Sequence, residues 1–183
     1  MTLSQNEKRE ILGFVREVIH MELAGADAPP MPDLECLHKT GACFVMLRDF
    51  SGGLRGCIGS AEAFENLGEN LRRNALNAAF MDPGFPPLEY EEFEEILFEI
   101  SVLSAPQEIS FPAGFQLGCD GLMLRTGERK AVFLPHIPVE QRWNVMQTAE
   151  CLARKAGIPD GKWQEYDVKF YTFQAETFGD RMM

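Results

Sequence analysis

Apolar residues recur along the chain with two different periods, and the changes of period mark out the elements. Ile11, Leu12, Val15, Val18 and Ile19 fall three or four positions apart and so share one face of a helix. Ser4 opens the run Ser-Gln-Asn-Glu, in which Glu7 occupies the third helical position of a capping box. The spacing predicts a first helix ending near Leu23, followed by an irregular connection at Gly25 and the prolines 29, 30 and 32. A second apolar stripe at Leu67, Leu71, Ala75, Ala78 and Ala79 predicts a helix from about Asn66 to Ala79. Asp82-Pro83-Gly84-Phe85-Pro86-Pro87 cannot continue it and must form a loop, since proline removes an amide donor and restricts the residue before it.

Elsewhere the pattern suits strands. Ala42 to Arg48 is rich in strand formers, Ser51-Gly52-Gly53 reads as a turn, and Leu54 to Ser60 as the return strand of a hairpin. Ile96 to Leu103 predicts a strand with Ile96, Phe98, Ile100 and Val102 on its apolar face. The acidic stretch from Glu89 to Glu95 before it reads as a solvated surface segment. Leu122 to Arg125 and Lys130 to Leu134 predict short strands around a turn at Thr126-Gly127-Glu128-Arg129. Asn144 and Gln147 predict the start of a third helix, Gly157 and Pro159 its stop, and Val168 to Ala175 a final strand. Strands and helices are mixed without regular βαβ alternation. The expected class is α+β: an antiparallel or mixed sheet with flanking helices, in one domain of 183 residues.

An apolar content of 45% is enough for a core without disulfides or a structural metal. The formal net charge of -11, with no local Lys/Arg cluster, repels phosphate backbones. Nucleic acid and anionic membrane are therefore not expected partners. Five scattered cysteines (36, 43, 57, 119 and 151) do not form a secreted disulfide framework. With a polar N-terminus and no apolar run near membrane-spanning length, a cytoplasmic location is expected. The chain has no phosphate-binding loop, dinucleotide fingerprint, His-Glu-x-x-His, Cys-x-x-Cys or Gly-x-Ser-x-Gly. Cys36-Leu37-His38 is a lone Cys-x-His, short of the four ligands of structural zinc. No metal and no cofactor is expected. His20 reads as a surface or partly packed residue of the first helix, and Trp143 and Trp163 as core.

One segment stands out chemically, Leu54-Arg55-Gly56-Cys57-Ile58-Gly59. Two glycines in six residues weaken a strand, so another backbone or a ligand is expected to approach closely there. In an extended chain Arg55 and Cys57 share one face, and Leu54, Gly56 and Ile58 the other. A neighbouring guanidinium favours the thiolate, which is the nucleophilic form. Arg55 can equally grip an anionic substrate group, and Cys57 can equally be a small buried hydrophobe. Phe85 and Leu88 are expected to fill a hydrophobic pocket. Asp82 has two readings, an Asx-turn accepting local amides or a residue lining a cleft.

These residues resemble the AMMECR domain family, whose bacterial group is called AmmeMemoRadiSam system protein A. The hexapeptide at 54–59 is similar to the family signature, and 74–88 to its Asn-Ala…Asp-Pro-Arg-Phe-Pro-Pro-Leu stretch. Ile100 to Ser104, Asp120 to Arg125, Phe133-Leu134-Pro135 and Cys151 to Pro159 fall where similar pieces belong. The resemblance implies larger and smaller subdomains flanking a cleft, with the hexapeptide near it. It also implies a genomic setting beside a Memo-like protein and a radical SAM enzyme, without a settled reaction. This chain departs at Gly84, where the family usually has Arg, and at His136, where it usually has Gln. A histidine at 136 offers a base toward Cys57, although a family that uses Gln does not need one.

The resulting expectation is an enzyme or enzyme component in which Cys57, Arg55 and His136 are catalytic candidates. Gly56, Gly59 and Asp82 are candidates for binding a small-molecule substrate. The alternative is a non-catalytic module that holds a protein partner or a metabolite.

Overall fold

Ser4 caps α1 (Gln5–Leu23) as expected, its hydroxyl accepting from the Glu7 amide while the Glu7 side chain reaches back to the Ser4 amide. The structure is a computed structural model and describes residues 2–182. A short helix, α2 (Glu35–His38), interrupts the proline-rich connection. Then come the hairpin strands β1 (Ala42–Asp49) and β2 (Leu54–Gly59). Gly52, at φ +95°, takes the left-handed conformation that the turn needs, and Asp49 Oδ1 accepts the Gly53 amide. Next, α3 (Leu67–Phe80) is capped by Asn66 and buries the expected stripe.

After a 3₁₀ turn at residues 90–95 follow β3 (Ile96–Leu103), β4 (Gln107–Ile109), β5 (Gly121–Thr126) and β6 (Arg129–Phe133). The chain continues with α4 (His136–Glu140), α5 (Val145–Lys155), a 3₁₀ turn at 163–165, β7 (Lys169–Phe173) and β8 (Ala175–Gly179). The fold is α+β, with the strands divided between two four-stranded sheets.

Two compact units result. The first runs to Leu103 and resumes at Glu176; the second is Ser104–Ala175. In the first unit the strand order is β2-β1-β3-β8, with β1 antiparallel to both β2 and β3. The apolar faces of α1 and α3 pack with Cys43, Val45 and Leu47 of β1 and Phe98 and Ile100 of β3 in one core. In the second unit the order is β4-β7-β5-β6. There α5, capped by Asn144 with Gln147, packs Ala149, Leu152 and Ala153 with Leu122, Leu124 and Phe170. Trp163 packs against this core edge-on to Phe111 and Phe170, while Trp143 lies half-buried beside Phe133.

Several elements depart from the sequence pattern, the short helices α2 and α4 among them. The strand expected over 168–175 is β7 at 169–173, but it is not the last: β8 follows it in the other sheet. The two strands divide at Gln174, whose amide donates to Ser104 Oγ and whose carbonyl accepts from the Ser104 amide. β4 has only three residues, too few to show a period. The acidic segment at 89–95 is exposed as expected except at Glu92 and Phe93, but residues 90–95 form a 3₁₀ turn that buries Phe93 and stacks it on His20 at 5.3 Å.

Candidate functional site

β2 is an edge strand, so one side of its backbone has no strand partner in the sheet. Cys57 pairs with Met46 of β1, and its amide points away from β1 to donate to Asp82 Oδ2 at 2.8 Å. The other oxygen of Asp82 accepts the Gly84 amide at 2.9 Å. Asp82 thus closes an Asx-turn at the head of loop 82–88, the first of its two readings, and also ties that loop to the hexapeptide. Cys57 itself is half-buried.

The two glycines have a packing reason. A Cβ on Gly56 would lie 2.2 Å from the Ala78 carbonyl oxygen of α3. One on Gly59 would lie 2.3 Å from the Phe44 ring and 2.5 Å from the Cys43 carbonyl. The close approach expected from the sequence is therefore made by the protein's own helix and hairpin partner.

Arg55 does not follow simple alternation. Leu47 pairs with Gly56 and Arg48 with Leu54, so Arg55 is the extra residue of a β-bulge. Its guanidinium forks onto Glu92, Nε to Oε1 at 3.0 Å and Nη2 to Oε2 at 2.9 Å. The same group donates to the carbonyls of Pro86 at 3.0 Å and Pro87 at 3.4 Å. The hydrogen bonds from Arg55 hold the Glu92 carboxyl below the usual carboxylate range, against the opposing effect of burial. A guanidinium committed to this fork is neutralised by a carboxylate, which weakens both the thiolate-priming and the anion-gripping readings.

Loop 82–88 is held at its far end as well, where the Leu88 amide donates to the Ala79 carbonyl and the Leu88 side chain is buried. Phe85 is half-buried. Gly84 is exposed, and a Cβ there would meet Asp82 Oδ1 at 3.3 Å, close enough that the carboxylate would have to give by a few tenths of an ångström. His136 heads α4 in the second unit, where its Nε2 is buried without a hydrogen-bond partner.

Two features of the first unit escaped the sequence reading. Glu92 is one acid among several in its segment, and nothing in the sequence singles it out. The second is a buried polar cluster: Asn70 Oδ1 accepts from the Cys43 amide, the Cys43 thiol and Asn74 Nδ2 at 3.0, 3.1 and 3.0 Å. Asn74 Nδ2 also donates to the Cys43 carbonyl at 3.1 Å. Two asparagines four residues apart, one position before Leu71 and Ala75 on a helix, were the available signal. Among the described residues no group of three or more His, Cys, Asp or Glu is placed to hold a metal ion. No helix there is long and apolar enough to cross a membrane.

An α+β chain of two sheet-based units, the first carrying a glycine-bearing hexapeptide on a bulged edge strand, is the class of protein that these features define. The sequence model of the AMMECR1 family matches residues 12–178, and the chain belongs to that family. A protein of Methanocaldococcus jannaschii is 35% identical over 90% of this chain and 86% of its own. One of Thermoplasma volcanium is 32% identical over 91% and 86%. The crystal structure of an uncharacterized protein from Pyrococcus horikoshii is similar in fold, with a TM-score of 0.86 and 30% identity over 94% of this chain and 90% of that one.

Proposed function

We propose that this protein is a cysteine-dependent enzyme, or the thiol-bearing component of one, that acts on a small molecule through Cys57. The observation that carries the reading is the anchoring of a half-buried cysteine on an edge strand. β1 holds one side of its backbone and the Asp82 carboxylate takes its outward amide. A nucleophile needs such a fixed backbone, because misplacement of the attacking atom costs rate. The chemistry is group transfer or hydrolysis. A bond forms between Cys57 Sγ and an electrophilic carbon of the substrate, and the leaving group departs with the thiol proton. Asp82 holds the strand through the Cys57 amide, and Arg55 through the carbonyls of Pro86 and Pro87. The resemblance to the AmmeMemoRadiSam group supplies the setting, a small molecule handed over by a radical SAM enzyme beside a Memo-like protein.

A second reading, a binding module for a protein or metabolite, is favoured by the occupied Arg55 fork and the internally packed glycines. Pulse alkylation of the native protein at neutral pH separates the two. Faster labelling of Cys57 than of a free-thiol peptide supports the enzyme. Labelling of Cys57 only after unfolding sinks it and leaves the module.

A further inference from the structure

Loop 82–88 lies along the open edge of β2 but cannot join it as a strand. Pro83, Pro86 and Pro87 have no amide to donate, so a ladder is unavailable. The edge is closed by side chains instead. Asp82 supplies the acceptor for the outward amide of Cys57, and Arg55, turned out of register by the bulge, supplies donors for the carbonyls of Pro86 and Pro87. Glu92 completes the arrangement: its carboxylate aligns the Arg55 fork, and its Oε2 also accepts the Glu89 amide at 3.1 Å. Arg55 therefore joins three separate segments, and its guanidinium is mostly shielded, with the side chain 12% exposed.

We infer that Arg55, Glu92 and Asp82 form a latch that closes loop 82–88 onto β2, and that this latch sets how firmly the Cys57 backbone is held. Arg55 is thus a positioning residue that acts on Cys57 through the loop. The inference deepens the reading of Cys57 as the functional thiol and supplies its regulation. Anything that competes for the Arg55 fork, such as a partner's carboxylate, would free Pro86 and Pro87 from β2 and loosen the loop that carries Asp82, with Leu88 still tied to Ala79.

Amide hydrogen exchange on the full chain tests the latch, with Cys57, Gly84 and Leu88 as reporters and Val45 and Ile100 as core references. In Arg55→Ala the Cys57 amide, whose hydrogen-bond partner is Asp82, is expected to exchange about tenfold faster or more while the core references stay unchanged. Glu92→Gln, which keeps an acceptor but loses the charge, gives a smaller effect in the same direction. It also serves as the readout should Arg55→Ala fail to fold. Unchanged Cys57 exchange in both variants overturns the latch. Equal acceleration of reporters and core references also overturns it, because it shows global destabilisation only. Alkylation of wild-type Cys57 is measured separately. A thiol that is inert in the native protein, beside reporter exchange that follows the variants, removes the enzyme reading and leaves the latch standing.

Discussion

The Cα of Gly56 presses so closely on Ala78 that an added Cβ would come within 2.2 Å of the Ala78 carbonyl oxygen. The obstacle is helix backbone, which cannot swing aside as a side-chain tip can. Gly56→Ala is expected to push β2 off α3 and to cost about 1–3 kcal/mol or more, as overpacking does. Hydrogen exchange of the β1 and β2 amides is the measurement, with Gly13→Ala on α1, where nothing lies within 4 Å of an added Cβ, as the control that changes little.

The cysteines should separate cleanly by environment. Cys43 is fully buried, and burial pushes its thiol up to about 12, opposed only in part by the hydrogen bond from Asn74. Burial also raises Cys36, with a further contribution from the charge of Glu7. Cys119 is exposed, and Cys57 and Cys151 are half-buried. A short iodoacetamide pulse near pH 8, read by peptide mass spectrometry, is expected to label Cys119, Cys57 and Cys151. Cys36 and Cys43 should label only once the protein unfolds.

How much of this was legible in the sequence depends on the range of the interaction. The helices at 5–23, 67–80 and 145–155 declared themselves because local periodicity and caps act within a few residues. The edge position of the hexapeptide did not, because sheet order is set by contacts far apart in the chain. Alternation placed Arg55 and Cys57 on one face, but a bulge opposite Arg48 breaks the period, and no residue type announces it. The glycines signalled a close approach correctly, yet only the packed helix shows that the approaching group is the Ala78 carbonyl. Asp82 was visible as a turn former, while its tie to Cys57 spans 25 positions and lies beyond local rules.

The asparagine cluster gives a sharper test of cooperativity. Asn70 Oδ1 is the shared acceptor for three donors, and Asn70 and Asn74 are both buried. Asn70→Ala strips the Cys43 amide of its acceptor in a dry environment, and such unsatisfied groups cost about 1–3 kcal/mol each. Asn70→Ala and Asn74→Ala should each destabilise the first unit. The double variant should lose less than the sum, since the two side chains belong to one network. Denaturation followed by circular dichroism checks it, and strict additivity would show two independent contacts.

Acid should open the latch and the asparagine cluster in a defined direction. Hydrogen bonds from Arg55 lower the Glu92 carboxyl in the folded state. At Glu65, burial pushes the carboxyl upward but is outweighed by hydrogen bonds from Arg73 and Asn70, so the net shift is again downward. A folded-state value below the unfolded one means that the stabilisation is complete above the ordinary carboxylate value of 4.5. It is lost as pH falls through the folded value. Glu92 is 41% exposed, so solvent screening keeps its share small, and Glu65, at 26%, should contribute more. Wild type is therefore expected to lose stability steeply below about pH 4.5, with Glu65→Gln flattening that slope more than Glu92→Gln. Thermal unfolding from pH 7 to pH 3 measures both. A stability difference between wild type and Glu65→Gln that widens toward acid would contradict the assignment, because protonation must erase the difference that the charge creates.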